Sequence, residues 1–365
     1  MEYITADYYP RFMCKCGECR HNCCNGWPVT ISKREYDRLM EAPCSEAYHE
    51  QLKNALRMNF RPEDDRYAHI VHDKYGSCML QRRDGLCGLQ VELGEAVLPD
   101  VCRLYPRNRR CTGGENECAL SGSCEAVVET LLKHTEPLHF VKTEIAEAPL
   151  FPIDMTAEQK ADCARAIEIM EDRTKTFPER FAAMGEELFG CTEPGDEEQG
   201  KLEAAKLLVQ LTDDSTGKSK VAGMVCAEAL RCFGMEGYSK ISSYEAEELL
   251  LRYEEAKAHV FKDKPDWEAH VERLLVNHMF YNSFPHVGGT NDHERAFYGL
   301  CTIYAFSKFV FVGNLRRWAN QEDEVDVLSE LGRMIEHSDF KYKASQFYRK
   351  YNESCPGYWR QLVSL

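Results

Sequence analysis

The sequence has no surplus of positive charge. Its formal net charge is −15 over 365 residues, whereas a nucleic-acid binder needs a basic footprint to neutralise phosphates. No nucleic-acid partner is therefore expected. A secretory leader is also missing, because MEYITADYYPRF has neither a basic n-region nor an apolar h-region. The expected location is cytoplasmic. The apolar stretch AFYGLCTIYAFSKFVFV (296–312) is short of the roughly 20 residues that span a bilayer and contains Lys308. It reads as a core helix, with no membrane partner. Several catalytic signatures are absent: G-x-G-x-x-G after a strand, the phosphate-binding loop, H-E-x-x-H and G-x-S-x-G.

Cysteine is what the chain has in abundance. There are 18, and twelve precede residue 125. With no leader the compartment is reducing, so disulfides are disfavoured and the spacing points to metal binding or catalysis. Cys16, Cys19, Cys23 and Cys24 lie within nine residues. Gly17 and Asn22 allow the sharp turns such a cluster needs. Cys78 and Cys87 flank CMLQRRDGLCGL, where Asp84-Gly85 suggests a hairpin turn. Cys102, Cys111, Cys118 and Cys124 follow. A soft dication or an iron–sulfur cluster takes about four thiolates. The surplus suits two zinc ions or one cluster with spare thiols. The order among the first cysteines, x2 then x3, is the reverse of the x3-then-x2 spacing of radical cluster enzymes. Cys14, Cys44, Cys163, Cys191, Cys226, Cys232, Cys301 and Cys355 are scattered and read as buried small side chains.

Charge and pattern divide the chain. Residues 1–124 carry about 17 Lys/Arg against about 18 Asp/Glu, which leaves about −14 for the remainder. The expected organisation is a cysteine-rich metal-binding domain over 1–134, a linker over 135–154 and an all-α domain over 155–365. The fold class is mainly α, with an irregular front part. Capping boxes at Thr156–Gln159 and Ser242–Glu245 mark helix starts. Gly190 marks a helix end after the stripe Phe177, Phe181, Met184 and Leu188. Helices are also expected at 266–283, 293–312, 322–337 and 339–351, for a total of eight or nine after residue 155. Loops are expected at 192–200, 212–220, 262–266 and 286–292.

Arg103, Arg107, Arg109 and Arg110 crowd behind Cys102. The planar guanidinium suits carboxylate or phosphate. One reading is a clamp for an anionic cofactor, with Arg103 and Arg107 as the binding residues. The other is a solvated stretch that offsets thiolate charge.

The chain resembles the flagellin lysine-N-methylase family, whose front part belongs to the CxxCxxCC-type zinc- or iron-chelating domains. YYPRF (8–12), CGECRHNCCNGW (16–27), CMLQRRDGLCGLQVELGEAVLPDVCRLYPR (78–107) and ALSGSCEAVVETLL (119–132) carry the resemblance at the front. LLVNHMFYNSFP (274–285) and LGRMIEHSDF (331–340) carry it at the back. It implies a lysine methyltransferase acting on flagellin, with S-adenosylmethionine as donor and a [4Fe–4S] cluster, zinc being the alternative metal. The cluster cysteines would fall among Cys16, Cys19, Cys23, Cys24, Cys78, Cys87, Cys102 and Cys124. The family's Ser-Cys-Pro-Glu is replaced here by Ser121-Gly122-Ser123-Cys124-Glu125, so Cys118 competes with Cys124. A lysine amine attacks only when neutral, and its ordinary pKa is about 10.4. His337, beside Glu336, and Tyr281 are the candidates for assisting it, against the plainer role of tying helices together. The rival functions are a non-catalytic metal-dependent interaction module and a redox or metal carrier.

Overall fold

The structure, a computed structural model, describes residues 1–25, 29–74, 76–216, 222–287, 292–315 and 321–365. Gly26 and Trp27 of the first cysteine motif, and parts of the expected loops at 212–220 and 286–292, lie outside the described residues.

Among the described residues eight strands form two sheets. They are β1 (Glu2–Ala6), β2 (Val29–Ile31), β3 (Leu56–Glu63), β4 (Arg66–Ile70), β5 (Arg107–Thr112), β6 (Glu115–Leu120), β7 (Phe140–Glu144) and β8 (Phe151–Ile153). One sheet has the order β7-β1-β6-β5-β8, and the other β2-β4-β3. In the larger sheet β1 runs parallel to β6 with Ile4 opposite Glu117, and β5 and β6 form a hairpin with Arg110 opposite Glu117. Among the described residues fifteen α-helices accompany the strands. In the front part are α1 (Lys33–Glu41), α2 (Glu46–Ala55), α3 (Gly88–Leu93), α4 (Asp100–Leu104) and α5 (Glu125–Lys133). After them come α6 (Ala157–Met170), α7 (Phe177–Phe189), α8 (Glu197–Thr216), α9 (Ala222–Cys232) and α10 (Ser243–Asp263). The last are α11 (Trp267–Asn282), α12 (His293–Leu315), α13 (Gln321–His337), α14 (Phe340–Ser354) and α15 (Trp359–Ser364).

The expected punctuation is present. The hydroxyls of Thr156 and Ser242 accept from the backbone of Gln159 and Glu245, while those two side chains return to the cap backbone. Each cap is worth about 1 kcal/mol. Gly190 ends α7 at φ +63, a left-handed conformation that glycine adopts without penalty. The stripe Phe177, Phe181 and Met184 is buried. Among the described residues ten helices follow residue 155 rather than eight or nine. The short α15, set off by Pro356 and Gly357, is too brief to show a helical period.

The chain groups into two compact units that do not follow its linear order. The helical unit holds Met1–Phe12, Arg107–Ser123 and Val127–Leu365, and the cysteine-rich unit holds Met13–Pro106 and Cys124–Ala126. The expected boundaries at 134 and 154 cut across this grouping. The physical reason is the five-stranded sheet, because β5 and β6 hydrogen-bond with β1 and β8 and so join the helical unit. The stretch 135–154 contributes β7 and β8 to the same sheet.

In the cysteine-rich unit, Ile31, Leu39, Leu52, Ala55, Ala68 and Leu80 form a small apolar core. In the helical unit α12 is central. Its window Arg295–Leu315 is long and apolar enough to cross a membrane, with mean hydropathy 1.4, and 78% of it is buried. Lys308 sits within it over the rings of Tyr304 and Phe261, at 5.6 and 5.9 Å. Burial pulls its ammonium down to about 8.

Candidate functional site

The cysteine-rich unit gathers thiols from three segments. Cys24 is tied to the second segment by the Cys78 backbone N–H, which donates to its carbonyl at 2.8 Å. Cys87 bridges to Gln81 about a turn at Gly85 (φ +82), so the expected hairpin is reduced to one isolated bridge, while Cys78 bridges back to His72. Cys78, Cys87 and Cys102 pack against the apolar core of this unit. The thiols repel one another as anions. Cys102 is pushed up by burial and then by Cys23, Cys87 and Cys78. Cys24 is raised by hydrogen bonding to Cys23, by burial, and by Cys78 and Cys87. Cys19 falls in a second group. Burial, Glu125 and Cys124 push it up to about 12. Cys16, at φ +54, donates its N–H to the Cys14 sulfur at 3.3 Å. Glu125 fastens this end by accepting from Lys15 at 2.6 Å and from the His21 N–H at 2.7 Å. Cys118 is elsewhere, buried in β6 of the helical unit, where its thiol donates to the Tyr9 hydroxyl at 3.4 Å.

Among the described residues no group of three or more His, Cys, Asp or Glu side chains closes into an arrangement that would hold a metal ion. The donor chemistry nevertheless suits a soft metal. Cys23, Cys78 and Cys87 raise the pKa of Cys24 and Cys102, and a bound cation reverses that repulsion.

The two arginines separate. Arg103, in α4, pairs with Asp100 at 3.2 Å in the cysteine-rich unit. Arg107 opens β5 in the helical unit and lies 5.2 Å over the Phe12 ring.

A second constellation lies within the helical unit, where the turn after β6 meets α11, α13 and α14. Ser121 donates to the Glu336 carboxylate. Its oxygen is 2.5 Å from that of Ser123, which in turn is 2.8 Å from Nε2 of His337. His278 approaches the other Glu336 oxygen at 3.5 Å. Lys341 donates to Asn282 at 2.7 Å, and Asn277 donates to the Leu120 carbonyl at 3.0 Å. Tyr8 anchors Asn277 through a 2.6 Å hydrogen bond. From β5, Arg110 donates to the carbonyls of Phe280 and Tyr281, both at 2.5 Å, and so holds the last turn of α11. Ser121 and Ser123 are fully buried, Glu336 has 4% of its side chain exposed, and His337 is exposed. A buried carboxylate thus sits beneath an accessible imidazole.

The electrostatics follow from this placement. Burial drives the Glu336 carboxyl upward, but hydrogen bonds from His278 and Ser121 and the charge of Lys341 outweigh it, so it ends below its usual range. Burial lowers His278, and burial of the His337 ring edge that meets Ser123 lowers His337 although the residue as a whole is exposed. Lys341 is lowered by burial against the pull of Glu336. Burial and the Glu336 charge push the Tyr281 hydroxyl up. At neutral pH the site therefore combines a carboxylate, two neutral imidazoles and a protonated phenol.

Close approach makes the contact possible. A Cβ on Gly332 would lie 2.3 Å from the Gly122 oxygen and 2.8 Å from its carbonyl carbon. Backbone cannot yield as a flexible side chain can. Gly332→Ala is therefore expected to destabilise the protein by about 1–3 kcal/mol and to separate His337 from Ser123. Urea denaturation measures the first effect. An unchanged midpoint would show that α13 and the 121–123 turn do not touch.

The three segments that build this site were each singled out by resemblance: 119–132, 274–285 and 331–340. The model of the FliB lysine N-methylase C-terminal domain matches residues 164–354, more than half of the chain. The chain belongs to the FliB lysine N-methylase family. Among relatives of this FliB-family chain is a lysine-N-methylase of Salmonella typhimurium, 24% identical over 159 residues, which cover 42% of this chain and 38% of the relative. A lysine-N-methylase of Salmonella choleraesuis is 25% identical over the same shares. A flagellar biosynthetic protein FliU of Salmonella muenchen is 22% identical over 132 residues, covering 36% of this chain and 77% of that one. The chain spans 38% of the length of the lysine-N-methylases it matches. No solved structure matches it.

Of the two residues expected to assist an amine, His337 and Tyr281, both belong to this site. Sequence reasoning did not assign roles to Ser121, Ser123, His278, Asn282 and Lys341. The available signal was polar residues inside apolar helical patterns, such as Asn277 and His278 within LLVNHMF.

Proposed function

We propose that this chain is a protein-lysine N-methyltransferase of the cytoplasm that acts on flagellin, using S-adenosylmethionine and a [4Fe–4S] cluster bound by the cysteine-rich unit. The observation that carries the reading is the meeting of three family segments around Glu336. The printed names of the relatives, lysine-N-methylase and a flagellar biosynthetic protein, support the reaction and the substrate class.

The residues suit an amine. A lysine enters as the ammonium, and the buried Glu336 carboxylate attracts it. Before attack its nitrogen must lose a proton, and a neutral imidazole is the fitting acceptor. His337 is the accessible one. Tyr281 stays protonated and is able to donate a hydrogen bond. When bound, S-adenosylmethionine supplies the methyl group as an electrophilic sulfonium carbon. Arg103 is engaged with Asp100, so of the two arginines Arg107 is the better holder of the donor's carboxylate. Cys23, Cys24, Cys78, Cys87 and Cys102 are the residues that would hold the cluster. Bound there it would act as a folding staple or a redox centre.

The test is intact-mass spectrometry of flagellin from the same source after incubation with anaerobically prepared, metal-replete protein and S-adenosylmethionine. Mass steps of one methyl group are expected. No shift would reject the reading and leave the metal-dependent interaction module.

A further inference from the structure

Among the described lysines, Lys33 and Lys142 are held above the usual ammonium range by Asp37 and Glu2, and Lys308 and Lys341 lie below it. Lys308 stands over the rings of Tyr304 and Phe261. Lys341 belongs to the Glu336 site. It is the second residue of α14 and half-buried, and its Nζ donates to Asn282 Oδ1 at 2.7 Å. Asn282 is turned for that contact, because its Nδ2 donates to the His278 carbonyl at 2.9 Å. Glu336, His278 and His337 all feel the charge of Lys341.

The surroundings loosen the hold of Lys341 on its proton. Burial lowers it first, Glu336 on α13 pulls it back, and Arg295 on α12 adds to the lowering. The first turn of α14 holds no acidic side chain, and a cation there meets the positive end of the helix dipole. The N-cap acid Asp339 lies 4.0 Å from Lys343. A methyl acceptor is such a lysine, one whose amine is desolvated and readily neutral. A substrate lysine must be brought to Glu336, whereas Lys341 is already there.

We propose that Lys341 is an automethylation site, the chain's own lysine methylated by S-adenosylmethionine within its own Glu336 site. This rests on the methyl-transfer reading. The ammonium first gives one proton to water. The Nζ lone pair then forms a C–N bond to the sulfonium methyl carbon as the S–CH3 bond breaks. The electron pair of that bond stays on sulfur, which leaves as a neutral thioether, and the positive charge passes to the methylated nitrogen. The secondary ammonium still has N–H groups to give to Asn282, so one methyl group leaves that contact intact. The amine is held in its own site, so the reaction is intramolecular.

The full chain, prepared anaerobically and metal-replete, is incubated with S-adenosylmethionine carrying a trideuteromethyl group, with and without flagellin. Peptide mass spectrometry locates the label. Without flagellin, label is expected on Lys341 at a rate per molecule that does not change on dilution. The exposed Lys53 and Lys262 are expected to stay unlabelled. Light methyl groups on Lys341 of the isolated chain count as the same modification. Lys341→Arg is expected to lose the chain's label. Labelled flagellin with no methyl group, light or heavy, on Lys341 overturns automethylation and leaves the methyl-transfer reading standing. Methylated Lys341 with unlabelled flagellin supports automethylation and removes flagellin as the substrate. No methyl group on either protein overturns both. Label spread over the exposed lysines, or a rate that falls on dilution, overturns the intramolecular site. One readout needs no donor. In the chain carrying 13C-lysine, the Lys341 Cε signal, assigned by its loss in Lys341→Arg, is expected to titrate below those of exposed lysines. Titration at or above theirs overturns the proposal.

Discussion

For the proposed reaction, replacing Glu336 with Gln is expected to lower the rate of flagellin methylation by about 100-fold or more, equivalent to about 2.7 kcal/mol of barrier. The amide has nearly the same shape, so the packing of α13 against the 121–123 turn survives. What disappears is the negative charge that draws in the ammonium and favours a protonated His337. A Gln side chain can also donate to Ser121, which disturbs the hydrogen bond that Ser121 gives to the carboxylate. Stability changes with pH in a defined sense. The folded carboxyl titrates below its ordinary value, so its contribution is present above the unfolded pKa of about 4.5 and is lost as pH falls through the folded value. The variant is accordingly less stable than wild type at pH 7 and loses less on acidification. Kinetics by mass spectrometry and urea denaturation at pH 7 and 4 measure both effects. Wild-type kcat in Glu336→Gln would show that the carboxylate takes no part.

For the proposed cluster, Cys87→Ala or Cys102→Ala is expected to abolish iron binding. These thiols stand on separate segments, and each packs against the core formed by Leu80, Leu89 and Leu98. Without metal, the ligation energy that doubles as folding energy is lost. The cysteine-rich unit should then lose its cooperative unfolding transition. Cys226→Ala in α9 and Cys301→Ala in α12 are the comparison, because both thiols are fully buried in the helical unit. They should keep the full metal load and lose only about 1–2 kcal/mol of packing. Iron and acid-labile sulfide analysis of anaerobically purified protein decides between the outcomes. A full iron load in Cys102→Ala would remove it from the ligand set.

Helix starts and stops were legible because their chemistry is local. Thr156 with Gln159, Ser242 with Glu245, and Gly190 each act within one turn, and each is found where the sequence puts it. The larger sheet was not legible in the same way. Its pairing of β1 with β6 joins residues more than a hundred positions apart, and five- or six-residue strands bearing many charges show little alternation. The site was half legible. His337 and Tyr281 stood out as types able to handle an amine. Ser121 and Ser123 looked like a mere departure from a cysteine motif. Their role depends on the backbone approach of Gly332 to Gly122, which no spacing rule encodes.

A strand that must wait for its partners orders events on the ribosome. Tyr3 and Ile4 emerge long before their neighbours in the sheet, which lie at 115–120 and 140–144. Everything from Met13 to Pro106 is translated in between. The segment that gathers the sulfurs is therefore completely synthesised while β1 is still unpaired and most of the helical unit remains unmade. Any metal delivered to it during translation would meet an almost finished receptor on an otherwise open chain. A gene cut at residue 155 to yield the helices alone would discard all five strands of their sheet, with Tyr8 and the 121–123 turn, and so half of the walls around Glu336.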